Sequence, residues 1–213
     1  PYMQVGIVAR FTSSYVDRDG IVRTEAVARN LATIGHDVTV YCTGWWPEQE
    51  ETREIDGVTY RAVTISPTQT SFLFRVAILL AIDRPDVVHL TPDSSATVLS
   101  ARLGATFAGA PLIVDWYGDE PLRAYKRRAA RIPDRVVCPS ELVRRDVREL
   151  GASERETLVI PAAVDMDLIR STEPAGETDI ITARRLDSDG NLESFLLSLA
   201  EYCQRCWQAT VIV

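Results

Sequence analysis

The feature that most constrains this chain is a rhythm in which short runs of β-branched apolar residues alternate with stretches whose apolar residues recur at helical spacing. Met3 to Ala9 is one such run. After a polar loop from Arg10 to Gly20, Val27, Leu31 and Ile34 repeat at i, i+4 and i+7, as on one face of a helix. Gly35 stands where a helix end favours a left-handed residue, and Asp37 to Cys42 alternates as a second strand. Strand, helix, strand is the prediction.

The same unit recurs along the chain. Asp56-Gly57 is a turn dipeptide between short β-prone segments, predicting a small hairpin or edge strand near Val58 to Val63. Helices are predicted at about Ser71 to Ile82, Ser94 to Ala108, Pro121 to Arg131, and from an N-cap at Ser140 to Leu150. Between them fall strands at Asp86 to Leu90, Pro111 to Trp116, Arg135 to Cys138 and Thr157 to Ile160. Strands that alternate with helices build a parallel sheet with helices on both faces, so the fold class is α/β, a Rossmann-like sheet.

At Pro161 the rhythm breaks. Pro161 to Gly176 has the Pro, Gly and polar content of a linker, and beyond it come a strand at Asp179 to Ala183, a helix and a strand at Gln208 to Val213. Leu192, Phe195, Leu196, Leu199, Ala200 and Cys203 form a continuous apolar stripe on that helix. One such unit cannot cover both faces of a sheet. The domain reading is therefore 1–161 as a Rossmann-like domain, 162–178 as a hinge, and 179–213 as the first, incomplete α/β unit of a second domain. The exposed stripe and open strand edges predict a homodimer through residues after Asp179.

Net charge narrows the partners. With 23 basic and 30 acidic residues the formal charge is -7, so a nucleic-acid backbone meets net repulsion and is not expected as a partner. The longest apolar run, Phe72 to Ile82, is broken by Arg75 and is about half the roughly 20 residues a bilayer crossing needs. A cytoplasmic address is the expectation. The four cysteines lack the paired spacing of a zinc site and read as reduced core thiols. Two basic runs, Arg123 to Arg131 and Arg144 to Arg148, read either as solvated faces or as attraction to an anionic acceptor or the inner face of a membrane.

In open parallel sheets ligands bind beyond the carboxyl ends of the strands, and that rule selects the residues to weigh. Asp19-Gly20 precedes a helix whose free N–H groups suit an anion, although neither a Rossmann G-x-G-x-x-G nor a P-loop signature is present. His89 lies at the end of a strand and reads as a core histidine or a catalyst, with Asp93 in the following loop. Tyr117, Gly118, Asp119 and Glu120 form the densest polar and aromatic cluster at any strand end. Asp119 and Glu120 serve either as acid and base or as the cap of the next helix.

Several segments, in order, resemble the GT-B glycosyltransferases of family 4. Asp19-Gly20-Ile21-Val22-Arg23 through Gly35-His36-Asp37-Val38-Thr39-Val40 is similar to the family's glycine loop, first helix and G-H-x-V-x-V approach to the second strand. Arg84-Pro85-Asp86-Val87-Val88-His89 resembles P-D-V-V-H, and Asp134-Arg135-Val136-Val137-Cys138-Pro139-Ser140 resembles D-x-V-x-x-x-S. Ile160-Pro161-Ala162-Ala163-Val164-Asp165 resembles the I-P-N-G-V-D hinge, and Arg185-Leu186-Asp187 with Asn191-Leu192-Glu193 resembles the opening of the donor domain. The chain departs from the pattern at Ala162-Ala163, at Tyr117 where a histidine is frequent, at Arg184 for glycine, and at Gly190 for the phosphate lysine.

The resemblance implies transfer of a sugar, with retention, from a nucleotide-sugar donor to a carbohydrate, lipid-linked or small-molecule acceptor. It implies that Gly20, Arg184 and Arg185 meet the donor diphosphate, that Tyr117, Asp119 and Glu120 act at the acceptor, and that His89, Asp93 and Gly118 line the acceptor side. No metal and no cofactor are implied. The family's later E-x7-E segment has no counterpart before Val213, so the chain reads as a truncated, by itself inactive form. A GT-B-like sugar-nucleotide epimerase and a non-catalytic binding or scaffold protein are the alternatives.

Overall fold

A computed structural model describes residues 2–16, 19–46, 50–65, 68–118, 126–163, 166–173 and 192–205. The chain divides into two compact units, Pro1–Ala163 and Val164–Val213. In the first, the strands are β1 (Gln4–Val8), β2 (Asp37–Thr43), β3 (Thr52–Ile55), β4 (Val58–Thr64), β5 (Val87–Leu90), β6 (Leu112–Asp115), β7 (Arg135–Cys138) and β8 (Thr157–Val159). The helices of this unit are α1 (Asp19–Thr33), α2 (Gln69–Asp83), α3 (Ser95–Ala108), α4 (Lys126–Arg131) and α5 (Glu141–Glu149). The strands form one sheet in the order β3-β4-β2-β1-β5-β6-β7-β8. Every neighbouring pair is parallel except the β3–β4 hairpin. Asp56 and Gly57, at φ 52° and 75°, close that hairpin with the left-handed pair that a two-residue turn requires.

Register explains the two cores. Ile7, His89 and Ile113 stand side by side across β1, β5 and β6 and so share one face, while Val8, Leu90 and Val114 share the other. On the first face Val5, Ile7, Val38 and Val40 pack with Ala28 of α1. On the second, Val8, Leu90 and Val114 pack with Phe72, Val76 and Leu80 of α2, Val98 and Ala101 of α3, and Val147 of α5. These buried runs on both faces are why the strands read as apolar without strict alternation.

Local chemistry sets the helix ends. Ser94 and Ser140 accept from the backbone N–H of Thr97 and Val143, capping α3 and α5. After α1, Gly35 at φ 95° lets its own N–H reach Ala32 and that of His36 reach Leu31, both at 3.0 Å, which terminates the helix. Asp19 and Gly20 belong to the first turn of α1 rather than to the preceding loop, because the helix starts before its apolar stripe does.

In the second unit, α6 (Met166–Ser171) and α7 (Leu192–Arg205) are helical. The segment expected to be linker therefore contains a short helix, framed by Pro161 and Pro174, where no full helical period was available to announce it. The strands expected at Asp179 to Ala183 and Gln208 to Val213 lie outside the described residues. Cys42 and Cys138 are buried thiols outside any disulfide, and burial pushes the Cys42 thiol well above its ordinary range, so it stays protonated.

Candidate functional site

The sheet has a switch point between β1 and β5. From β1 the chain crosses to β2 on one side, and β5 joins β1 on the other, so the loops after β1 and β5 part at the carboxyl edge. The residues delivered to that edge are largely charged, buried and matched to one another.

Asp115 ends β6 and is buried. Arg23, one turn into α1, donates from Nε to Asp115 Oδ2 at 2.7 Å, from one terminal nitrogen to the Ile160 carbonyl at 2.9 Å, and from the other to the Pro161 carbonyl at 3.1 Å. A cation this close to a helix N-terminus opposes the helix dipole, so it needs acceptors, and here it has three. Their geometry suits the rigid guanidinium fork. The side chain thus fastens α1 to the ends of β6 and β8. Beside it, Thr24 Oγ1 donates to the Gly20 carbonyl at 2.8 Å and is in hydrogen-bond contact with Thr91 Oγ1, fastening the same helix to the loop after β5.

A second pair spans the switch point. Arg10 Nε, after β1, lies 2.5 Å from Asp93 Oδ2, after β5, with both side chains nearly buried. The approach is one of charge without hydrogen-bond alignment. Asp93 Oδ1 accepts from Thr97 Oγ1 in the first turn of α3, and the Arg10 carbonyl accepts from Thr43 N at 3.0 Å. Asp93, expected on the acceptor side, is thus also the anchor of two loops.

His89 faces the same side of the sheet as Asp115, two positions along an adjacent strand. Burial lowers its pKa below the ordinary 6.5; the Asp115 charge pulls it upward, less strongly, and Arg23 adds to the lowering. The imidazole is neutral. Its Nδ1 and the Oδ1 of Asp115 are both buried without a hydrogen-bond partner among the described residues. Both have hydrogen-bonding capacity left over, as do Arg10 Nε and Asp93 Oδ2.

Past β6, Trp116 is buried with its backbone N–H on the Val137 carbonyl at 2.7 Å, Tyr117 is half-buried, and Gly118 is exposed at φ 109°. A Cβ on Gly118 would lie 3.2 Å from Val143 Cγ2 of α5, so glycine is needed for both conformation and space. Gly20 is buried in the first turn of α1, whose N-terminus opens on this edge. Of the residues expected to act, Asp119, Glu120, Arg184 and Arg185 lie outside the described residues. The structure brings Gly20, His89, Asp93, Tyr117 and Gly118 to one edge of the sheet. It adds Arg10, Arg23, Thr24, Thr91 and Asp115, which sequence reasoning had not singled out. For two of them a signal was available: Asp115 closes the apolar run Leu112-Ile113-Val114, and Arg23 stands at the start of an amphipathic helix.

At the opposite, amino edge a cavity of about 250 Å³ is lined by Gly6, Tyr41, Arg61, Asp83 and Pro85. There the Tyr41 hydroxyl donates to Asp83 at 2.7 Å and Arg61 pairs with the same carboxylate, so the charges are already matched. Among the described residues no group of three or more His, Cys, Asp or Glu side chains is placed to hold a metal ion. No helix among them is long and apolar enough to cross a membrane.

Comparison with known proteins covers the same span. The family described as glycosyl transferase 4-like domain matches residues 20–163. Among solved structures, Anabaena HepE in complex with UDP-glucose superposes with a TM-score of 0.57 at 12% identity, covering 93% of this chain and 50% of that one. Sucrose-phosphate synthase from Thermosynechococcus elongatus gives 0.59 at 11% identity, covering 77% and 49%. UDP-N-acetylglucosamine 2-epimerase from Rickettsia bellii gives 0.50 at 18% identity, covering 96% and 60%. The chain spans about half the length of the first two. No curated protein matches it by sequence.

Proposed function

From the premise that this chain belongs to the glycosyl transferase 4-like family and has its GT-B fold, we propose that it is the acceptor-side part of an enzyme transferring a sugar from a nucleotide-sugar, with retention. One observation carries the reading: at the carboxyl edge of the sheet Arg23 and Asp115, both within the span of the family match, form a buried pair near the start of α1, and Arg10 and Asp93 form a second pair across the switch point. A site that must exclude water and hold an anionic donor is built this way, with fixed dipoles in place of mobile solvent.

In this reading the α1 N-terminus at Gly20 receives the donor diphosphate, and Arg184 and Arg185 offset its charge. Tyr117, Asp119 and Glu120 act at the acceptor hydroxyl, with His89, Asp93 and Gly118 lining its side. Residues 179–213 open the donor-binding domain. Arginines and helix N–H groups stabilise the negative charge that develops on the leaving diphosphate, so the reading asks for no metal. The acceptor is a carbohydrate, a lipid-linked sugar or another small hydroxyl compound. Support for the donor class comes from HepE, whose structures hold UDP-glucose and UDP with glucose. An epimerase of nucleotide-sugars is the second reading, favoured by the likeness to the Rickettsia bellii enzyme.

Alanine at Asp119 or Glu120 in the full-length protein tests the acceptor-side assignment. The expected result is a fall in transfer of 10²-fold or more, as for loss of a positioned acid or base, with an unchanged melting temperature. A melting loss that accounts for the activity loss would make these residues a helix cap instead.

A further inference from the structure

The most apolar run of the sequence, Phe72 to Ile82, becomes α2, but only one side of that helix reaches the core. Phe72, Val76 and Leu80 are fully buried, whereas Phe74, Ile78 and Ile82, at i, i+4 and i+8, are 71%, 43% and 67% exposed. The neighbouring α3 repeats the pattern. Leu99, Leu103 and Phe107 again stand at i, i+4 and i+8 and are 42%, 54% and 68% exposed.

The two helices run parallel and in close contact, since Ser100 Oγ donates to the Leu73 carbonyl and Gly104 abuts Ala77 and Leu80. Two apolar stripes therefore lie next to each other on the outer side of one helical layer. Isolated exposed apolar residues are ordinary, but six large ones in register on adjoining helices form a patch of the kind that marks an interaction surface.

Charge identifies the occupant. In a chain with 30 acidic residues, α2, α3 and α4 together contain one, Asp83, and Arg61 and Tyr41 already engage it. Most of the charges around the stripes are cations; the carboxylates there are Asp86, exposed just past α2, and Asp134, which pairs with Arg102 of α3. Arg75 and Arg84 lie on and just after α2, and Lys126, Arg127 and Arg128 are exposed on α4, which packs beside α3. A layer that is apolar along two helices, cationic at its margins and almost free of carboxylates complements an anionic lipid surface, where apolar side chains enter the interface and basic ones meet headgroups. Two copies packed through this layer would bring like charges together.

We infer that the outer face of α2 and α3 docks this protein on an anionic bilayer surface, with α4 supplying cationic contacts. The inference stands apart from the transfer reading, because vesicles without any sugar test it. The 213-residue chain is floated with phosphatidylcholine vesicles and with vesicles containing 30 mol% phosphatidylglycerol, beside the triple variant Phe74→Ser, Leu103→Ser, Phe107→Ser and the double variant Arg127→Glu, Arg128→Glu. The expected result is at least tenfold stronger partition to the anionic vesicles, weakened in 0.5 M salt and reduced at least tenfold in each variant.

All three substituted apolar residues are exposed, so melting of the triple variant should match the parent. If it does not, the charge-reversal variant decides alone. Equal partition to both lipids, no partition, or full binding by a folded variant overturns the inference. Concentration-dependent dimerisation lost in the triple variant, without vesicle binding, would overturn it in favour of a second copy as the occupant.

Discussion

Replacing Arg23 by methionine keeps most of the side chain's length and removes its charge and all three of its hydrogen bonds. Asp115 is then left as a buried carboxylate, its side chain 3% exposed, with no cation beside it, and the carbonyls of Ile160 and Pro161 lose their donors. Breaking a buried ion pair from one side costs about 3 to 5 kcal/mol, most of it from the stranded partner. Both side chains are at most 10% exposed, so solvent screening offers little relief. The predicted loss is about 3 to 5 kcal/mol in urea unfolding, followed by tryptophan emission from Trp45, Trp46 and Trp116 of the first unit. The double variant Arg23→Met, Asp115→Asn removes the stranded charge as well. It should lose less than the sum of the single variants, with a coupling of more than about 1 kcal/mol. Arg23→Lys keeps the charge but not the fork, and should fall between parent and methionine. A loss below about 1 kcal/mol for Arg23→Met, or strict additivity in the double variant, would refute the clasp.

His89 gives a pH-dependent prediction. Its folded pKa lies below 6.5 because burial disfavours the charged form, so below pH 6.5 the unfolded chain binds a proton that the folded chain refuses. That stability is present above 6.5 and is lost as pH falls, at up to about 1.4 kcal/mol per pH unit. His89→Gln removes this slope, and urea midpoints of parent and variant should converge between pH 7 and pH 5; parallel curves would show that His89 takes up its proton normally. At Gly104 an added Cβ would lie 2.8 Å from Leu80 Cβ and 2.9 Å from the Ala77 carbonyl. Overpacking by about 1 to 3 kcal/mol exceeds the helix-propensity gain of about 1 kcal/mol, so Gly104→Ala should lower the melting temperature. A rise would mean that α2 and α3 part without cost.

The strands and helices of the first unit were legible because each carries its own period: apolar runs of four to seven residues for the strands, i, i+4, i+7 spacing for α1, serine caps for α3 and α5. The hairpin followed from Asp56-Gly57 alone. Strand-end reasoning also placed His89, Asp93, Tyr117 and Gly118 at one edge. What it did not reach was the pairing of Arg23 with Asp115, 92 residues apart. That contact exists because crossovers carry β5 and β6 to the far side of β1, and no local period encodes which loop will face which. Arg10 and Asp93 meet across the switch point for the same reason. The short α6 was missed on other grounds: six residues between prolines are fewer than two helical turns, too few to show a period.

The most direct test of the transferase account uses the full-length protein with a panel of nucleotide-sugars and, as acceptor source, an extract of its own host. Two quantities are read together: nucleoside diphosphate released, and the anomeric configuration of the sugar in the product by proton NMR. The account predicts release from one donor class that depends on acceptor, with the donor's anomeric configuration kept in the product. Conversion of one nucleotide-sugar into another without acceptor, or transfer with inversion, would contradict it.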